Sequence, residues 1–168
     1  MTNELKIEKL KRKRKEKEID NEALYDNVNH IYYNEQGELD ITNFIEEHKN
    51  DNILFVRGRA ASEFGCCDCR FLNKDINQKI SYQNIPTENP TRVMLSGILN
   101  VCNALIEDNS SLYIISSTKL GFRNGKKDKG PNKELVKEIL DVCKDKNIFL
   151  NEVVLFHDGK MIKSMIEQ

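Results

Sequence analysis

From Pro90 to Ser117 the chain reads as a helix followed by a buried strand, and this pair limits the folds open to it. Leu95, Ile98, Leu99, Cys102, Leu105 and Ile106 recur at the i, i+3, i+4, i+7 spacing of one helix face. Pro90 suits a helix start, where its missing N–H costs nothing. A polar break, Glu107-Asp108-Asn109-Ser110, follows. Ser111-Leu112-Tyr113-Ile114-Ile115-Ser116-Ser117 then has no polar face, the pattern of a strand covered on both sides. The expectation is an α/β fold with a mixed sheet flanked by helices.

The neighbouring segments extend this pattern in both directions. Ile53-Leu54-Phe55-Val56 reads as a central strand ending in a small-residue turn, Arg57 to Ser62. Phe64–Leu72 and Lys79–Ile85 read as two further strands joined through Asn73-Lys74-Asp75. Beyond the Pro90–Ser117 pair, a segment rich in Lys, Arg and Gly runs from Lys119 to Lys129. Leu135, Val136, Ile139, Leu140 and Cys143 mark a second amphipathic helix. Asn147–Phe156 is the fifth strand of this domain, and Met161, Ile162, Met165 and Ile166 mark a short last helix.

The expected domain is therefore residues 52–168, with five strands. Residues 19–51 read as an N-terminal extension packing on it. That extension holds a short strand, Asn29–Tyr33, a turn at Asn34–Gly37 and a helix capped by Asp40 that carries Ile41, Phe44 and Ile45. Tyr32 and Tyr33 read as packing residues rather than a base-stacking platform. Residues 1–18 read as a basic arm, a frayed helix or disordered segment whose cluster Lys11–Lys15 would serve nuclear targeting or phosphate contact.

Charge is distributed unevenly. The net charge is −1, yet residues 1–18 hold eight Lys/Arg against four Glu, and the remainder holds 18 against 23. Only local patches can make a case for nucleic acid. No run approaches the roughly 20 apolar residues of a membrane span, and the N-terminal residues show no secretory signal. Five cysteines, an odd number, read as reduced thiols. The expected setting is intracellular, cytoplasmic or nuclear, with no membrane partner.

Several short motifs resemble the ribonuclease H family, over about residues 52–168. Phe55-Val56-Arg57-Gly58-Arg59 resembles that family's first-strand ending around Thr-Asp-Gly-Ser. Thr91-Arg92-Val93-Met94-Leu95 resembles its helix opening, Asn-Arg-Ala-Glu-Leu. Ile114-Ile115-Ser116-Ser117-Thr118 resembles Tyr-Thr-Asp-Ser-Gln. Asn132-Lys133-Glu134-Leu135 resembles its later Asn-x-Asp/Glu-Leu-Trp, and Phe156-His157-Asp158-Gly159 its Lys-Gly-His-x-Gly. The resemblance implies a ribonuclease H-like fold with an N-terminal extension.

It also implies where catalytic carboxylates would stand. Such a nuclease needs acids that hold two Mg²⁺ ions, which activate water and stabilise the leaving oxygen. Carried onto this chain, the first Asp falls on Arg57, the helix Glu on Met94, the second Asp on Ser116 and the fourth acid on Glu167. A guanidinium that cannot deprotonate would repel metal ions at the first position. The resemblance therefore implies a degenerate centre with no catalytic residues, no metal and no cofactor. Glu63, Asp68 and Glu88 are the other acids nearby; Glu63 falls in a loop and Asp68 mid-strand, so neither of these two is obviously directed at that centre.

The remaining constellations are weaker. In Cys66-Cys67-Asp68-Cys69, strand alternation sends Cys67 and Cys69 one way and Cys66 the other, so core thiols fit better than a zinc site. His30, His48 and His157 form no local cluster. No Gly-x-Ser-x-Gly elbow and no phosphate-binding Gly loop is present. The best binding feature is basic: Lys119, Arg123, Lys126, Lys127 and Lys129, with Arg57 and Arg59. The expected function is a non-catalytic domain that binds nucleic acid (RNA, DNA or hybrid) or scaffolds a protein of a nucleic-acid-handling complex. The alternatives are an active metal-dependent hybrid nuclease with relocated carboxylates and a pure protein-interaction scaffold.

Overall fold

The computed structural model describes residues 28–33, 39–61, 63–87 and 89–168. The basic arm and the turn expected at Asn34–Gly37 lie outside these residues, as do Ser62 and Glu88. In chain order the elements are β1 (Val28–Tyr33), α1 (Ile41–Glu47), β2 (Asn52–Ala61), β3 (Phe64–Leu72), β4 (Asn77–Ile85), α2 (Pro90–Ala104), β5 (Ser111–Ser116), α3 (Phe122–Gly125), α4 (Lys133–Asp145), β6 (Phe149–Leu155) and α5 (Gly159–Glu167).

The strands form one mixed sheet in the order β1-β6-β5-β2-β3-β4. β2, β3 and β4 are an antiparallel meander, while β2–β5, β5–β6 and β6–β1 are parallel pairs. The sheet has six strands, not the five expected. The sixth is β1, whose residues add to the free edge of β6 from Val28↔Leu150 to Tyr33↔Leu155. An edge with unpaired N–H and C=O groups accepts such an addition readily. β1 thus shares the sheet of residues 52–168.

Helices cover both faces. One face holds the larger core, where Leu54, Val56, Cys67, Cys69, Phe71, Leu112, Ile114 and Leu150 meet α2 and α4. The other holds Ile53, Phe55, Ile115, Val153 and Leu155, covered by Ile162 and Ile166 of α5 and Phe44 of α1. The two lists alternate along β2 and β5, as strand geometry requires. β5 is apolar on both sides because it is central and doubly covered.

Helix ends are tied by side chains. The Asn89 carboxamide oxygen accepts the N–H groups of Thr91 and Arg92, and Pro90 opens α2. The other end of α2 has no basic residue in its last turn. Lys146 supplies one from beyond α4, its Nζ donating to the carbonyls of Cys102 (2.8 Å), Asn103 (3.1 Å) and Ile106 (3.1 Å). Buried Arg70 of β3 does the same for α5. Its Nε donates to the Ile166 carbonyl (3.1 Å), one Nη to the main-chain oxygen of Gln168 and the other to Asn77 (2.8 Å).

The helix α2 lies close on the sheet because glycines meet it. A Cβ on Gly58 would stand 2.6 Å from the Pro90 carbonyl oxygen and 2.8 Å from Met94 Cγ. On the helix side, a Cβ on Gly97 would stand 2.4 Å from Cys67 Sγ. No helix among the described residues is long and apolar enough to cross a membrane.

Candidate functional site

Since β1, β2, β5 and β6 are all parallel, their C-terminal ends emerge at one edge of the sheet. Ligands of parallel sheets bind at that edge. The chain there supplies Arg57, Ser117, the Lys119–Lys129 segment and the His157 turn, the last with φ at 66°.

The four positions carried over from the family pattern do not share one face. Arg57 is half-buried and follows Phe55 by two, so it stands on the α5 face. Met94 is buried on the opposite face, over Gly58. Ser116 is buried on that same opposite face, in step with Leu112 and Ile114, and its hydroxyl donates to the Thr118 carbonyl at 2.7 Å. The β2–β5 register ends at Phe55↔Ile115. Carried on two residues, it sets Ser117, not Ser116, beside Arg57. A Cβ on Gly159 would lie 3.8 Å from Ser117 Oγ, so this serine faces the start of α5. Glu167 is exposed in the last turn of α5, on a surface shared with Lys160, Lys163 and Ser164.

Arg57 pairs across the ladder with Asp68, but that carboxylate is engaged elsewhere. Asp68 accepts from Arg59 Nε (3.1 Å) and Nη2 (2.9 Å), from the Ser81 hydroxyl (2.8 Å) and from the Cys66 thiol (3.5 Å). Partial burial pushes the Asp68 carboxyl up, yet Ser81, Arg59 and Cys66 together hold it below the usual range. Arg59, Cys66 and Gln83 border a surface cleft of about 400 Å³ whose rim includes the exposed Phe64. Cys67 and Cys69 face the other way, buried, with sulfurs 3.5 Å apart. The Cys69 contact and then burial raise the Cys67 thiol far above its ordinary range. Among the described residues no three His, Cys, Asp or Glu side chains converge as a metal site.

The basic segment is an ordered structure. Leu120 and Phe122 are fully buried and plug it into the larger core, and Gly121 turns the chain at φ +88° to open α3. Lys119 and Arg123, on either side of this plug, are exposed and gather over one ring. Lys119 Nζ is 4.9 Å and Arg123 Cζ 5.8 Å from the centroid of Tyr32. Lys126, Lys127 and Lys129 follow in the turn after α3, where Asp128 pairs with Lys137 (2.7 Å) and more distantly Lys133 (3.9 Å).

Below Tyr32 lies a group that sequence reasoning passed over. Glu152 of β6 is fully buried. Its Oε1 accepts from His30 Nδ1 (3.0 Å) and the Tyr32 hydroxyl (3.3 Å), and its Oε2 from the Leu120 N–H (2.8 Å). These three contacts engage both oxygens of a carboxylate shut off from the surface. Burial, and then the Glu152 charge and hydrogen bond, push the Tyr32 phenol up to about 12, against an opposing pull from Arg123. The other ring nitrogen of His30, Nε2, is buried without a partner. One signal was available: an acid inside the apolar run Phe149–Leu155 demands a partner.

Comparison with known proteins finds no family model that matches the chain and no curated protein that matches its sequence.

Proposed function

We propose that this chain is a ribonuclease H-like domain that binds nucleic acid through phosphates and does not cleave it by two-metal chemistry. The observation that carries the reading is the pair of exposed cations, Lys119 and Arg123, set over Tyr32 at the C-terminal edge of the parallel strands. The order β4-β3-β2-β5-β6, an antiparallel meander followed by two parallel strands, supports the fold part of it. The half-buried guanidinium of Arg57, on the strand where the family carries its first acid, supports the non-catalytic part. Cations at such an edge give salt-sensitive binding with little sequence preference.

The test is binding of labelled RNA–DNA hybrid, duplex and single strand across a salt series, with Mg²⁺ or Mn²⁺ cleavage followed in parallel. The expected result is binding at low salt whose logarithm falls linearly with log salt. Replacing Lys119, Arg123 and Lys126 by Gln lowers the slope by roughly 0.7–0.9 for each phosphate that is no longer neutralised. No salt-dependent binding at low salt would refute the reading. Metal-dependent cleavage abolished in Asp68→Asn would refute its non-catalytic part.

A further inference from the structure

The three donors held by Glu152 come from two places that must be brought together for Lys119 and Arg123 to meet. His30 and Tyr32 lie on the edge strand β1, and Leu120 lies in the basic segment. Tyr32 is the ring on which both cations rest, and Leu120 directly follows Lys119. The carboxylate thus fixes the height of the ring through its hydroxyl and the path of the segment through a backbone N–H. Phe156 adds an edge contact to the same ring, at 6.1 Å between centroids. Farther along the segment Asp128 pairs with Lys133 and Lys137. Among the described residues no carboxylate pairs with Lys119 or Arg123.

A buried ionic group is a costly way to hold a strand edge, since apolar residues of similar volume often serve as well or better. This cluster also leaves His30 Nε2 buried without a partner. An unsatisfied buried polar atom costs stability. The arrangement is therefore not one that stability alone explains.

We propose that Glu152 is a positioning residue for phosphate: it never touches the ligand, but locks Tyr32 and Leu120 so that Lys119 and Arg123 close as a two-point clamp on one backbone phosphate of a nucleic acid. This deepens the nucleic-acid reading above and rests on it. The sign of one substitution separates it from simple charge attraction. Glu152→Gln removes a negative charge, so long-range electrostatics alone would tighten binding of a polyanion. Release of the lock weakens it.

The experiment uses the full chain and a labelled RNA–DNA hybrid in a mutant cycle of Glu152→Gln against Lys119→Gln/Arg123→Gln. The expected result is binding about tenfold weaker in Glu152→Gln, the order of one charge-assisted hydrogen bond to phosphate. In the Lys119→Gln/Arg123→Gln background the same change has no further effect. Amide exchange at Leu120 speeds up in Glu152→Gln. Tighter or unchanged binding, or an equal weakening in both backgrounds, overturns the proposal while leaving the nucleic-acid reading in place. A wild-type chain that shows no salt-dependent binding overturns both. Should Glu152→Gln lose its cooperative melting, Tyr32→Phe removes only the phenol donor and serves in the same cycle, with the same expectation in direction and the same outcomes against it.

Discussion

Gly58 and Pro90 are in contact as backbone: the Pro90 carbonyl oxygen stands 2.6 Å from where a Cβ on Gly58 would lie. The first turn of α2 therefore rests on a strand residue without a side chain. Met94 Cγ, at 2.8 Å from the same point, closes the gap on the other side. A side chain can swing away, but the carbonyl of a capped, proline-opened turn cannot. Gly58→Ala is expected to cost about 1–3 kcal/mol, as overpacking does. A urea midpoint equal to that of the parent would contradict the close approach.

The five thiols divide by exposure. Cys66 is half-exposed, while Cys67, Cys69, Cys102 and Cys143 are buried. The Cys143 contact and burial raise the Cys102 thiol well above its ordinary range, and Cys67 is raised too. Thiolate is the reactive form, so these two thiols are doubly protected. A maleimide reagent at neutral pH should label one residue quickly in the native chain and all five only after unfolding. Mass mapping that puts the fast label anywhere but Cys66 would count against this arrangement.

Asp68 makes stability depend on acid. Its folded-state pKa lies below the ordinary value, so the carboxylate contributes stability above about pH 4 that is lost as pH falls through the lowered value. Arg59 is more than half exposed, so solvent screening keeps the ion pair to roughly 0.5–1 kcal/mol. Asp68→Asn should therefore melt earlier than the parent at pH 7 and converge with it as pH falls through the lowered value. Parallel stability curves over that range would be the contrary result.

Tyr32 makes stability depend on alkali, with the opposite sign. Its folded pKa, about 12, lies above the ordinary phenol value near 10. The contribution is complete below about pH 10 and is lost as pH rises toward 12. In a spectrophotometric titration, Tyr32→Phe should remove a late-ionising phenol, not an early one.

Lys146 caps α2 through three carbonyls. Lys146→Met keeps much of the apolar stem and removes the ammonium. A destabilisation of about 1–3 kcal/mol is expected, the range for hydrogen bonds to a charged group together with carbonyls left bare. Calorimetry on the two proteins would decide it, and an unshifted midpoint would mean that water replaces the cap freely.

Much of the fold was legible because its signals are local. Leu95, Ile98 and Cys102 lie on one helix face, as do Val136, Ile139, Leu140 and Cys143, and those faces are buried. The alternation of Cys66 against Cys67 and Cys69 was readable for the same reason. The facing of β5 was not. An apolar run covered on both sides has no alternation to read, so Ser116 and Ser117 could not be told apart. Glu152 was hidden by distance, because its partner His30 lies 122 residues away. His30, His48 and His157 form no cluster with one another, and the sequence did not show that His48 lies against Phe44 and Tyr113, with ring centroids 4.5 and 4.2 Å apart.

The pairing of β1 with β6 has a consequence for how the chain is made. Residues of β1 find their place only beside β6, a strand 122 positions farther along the chain. Synthesis proceeds from the N-terminus, so every other strand of the sheet has left the ribosome before β1 has an edge to join. Closing so long a span is slow relative to forming the meander. The first strand of the sheet to be synthesised is thus among the last to dock, and its arrival completes the setting of Lys119 and Arg123.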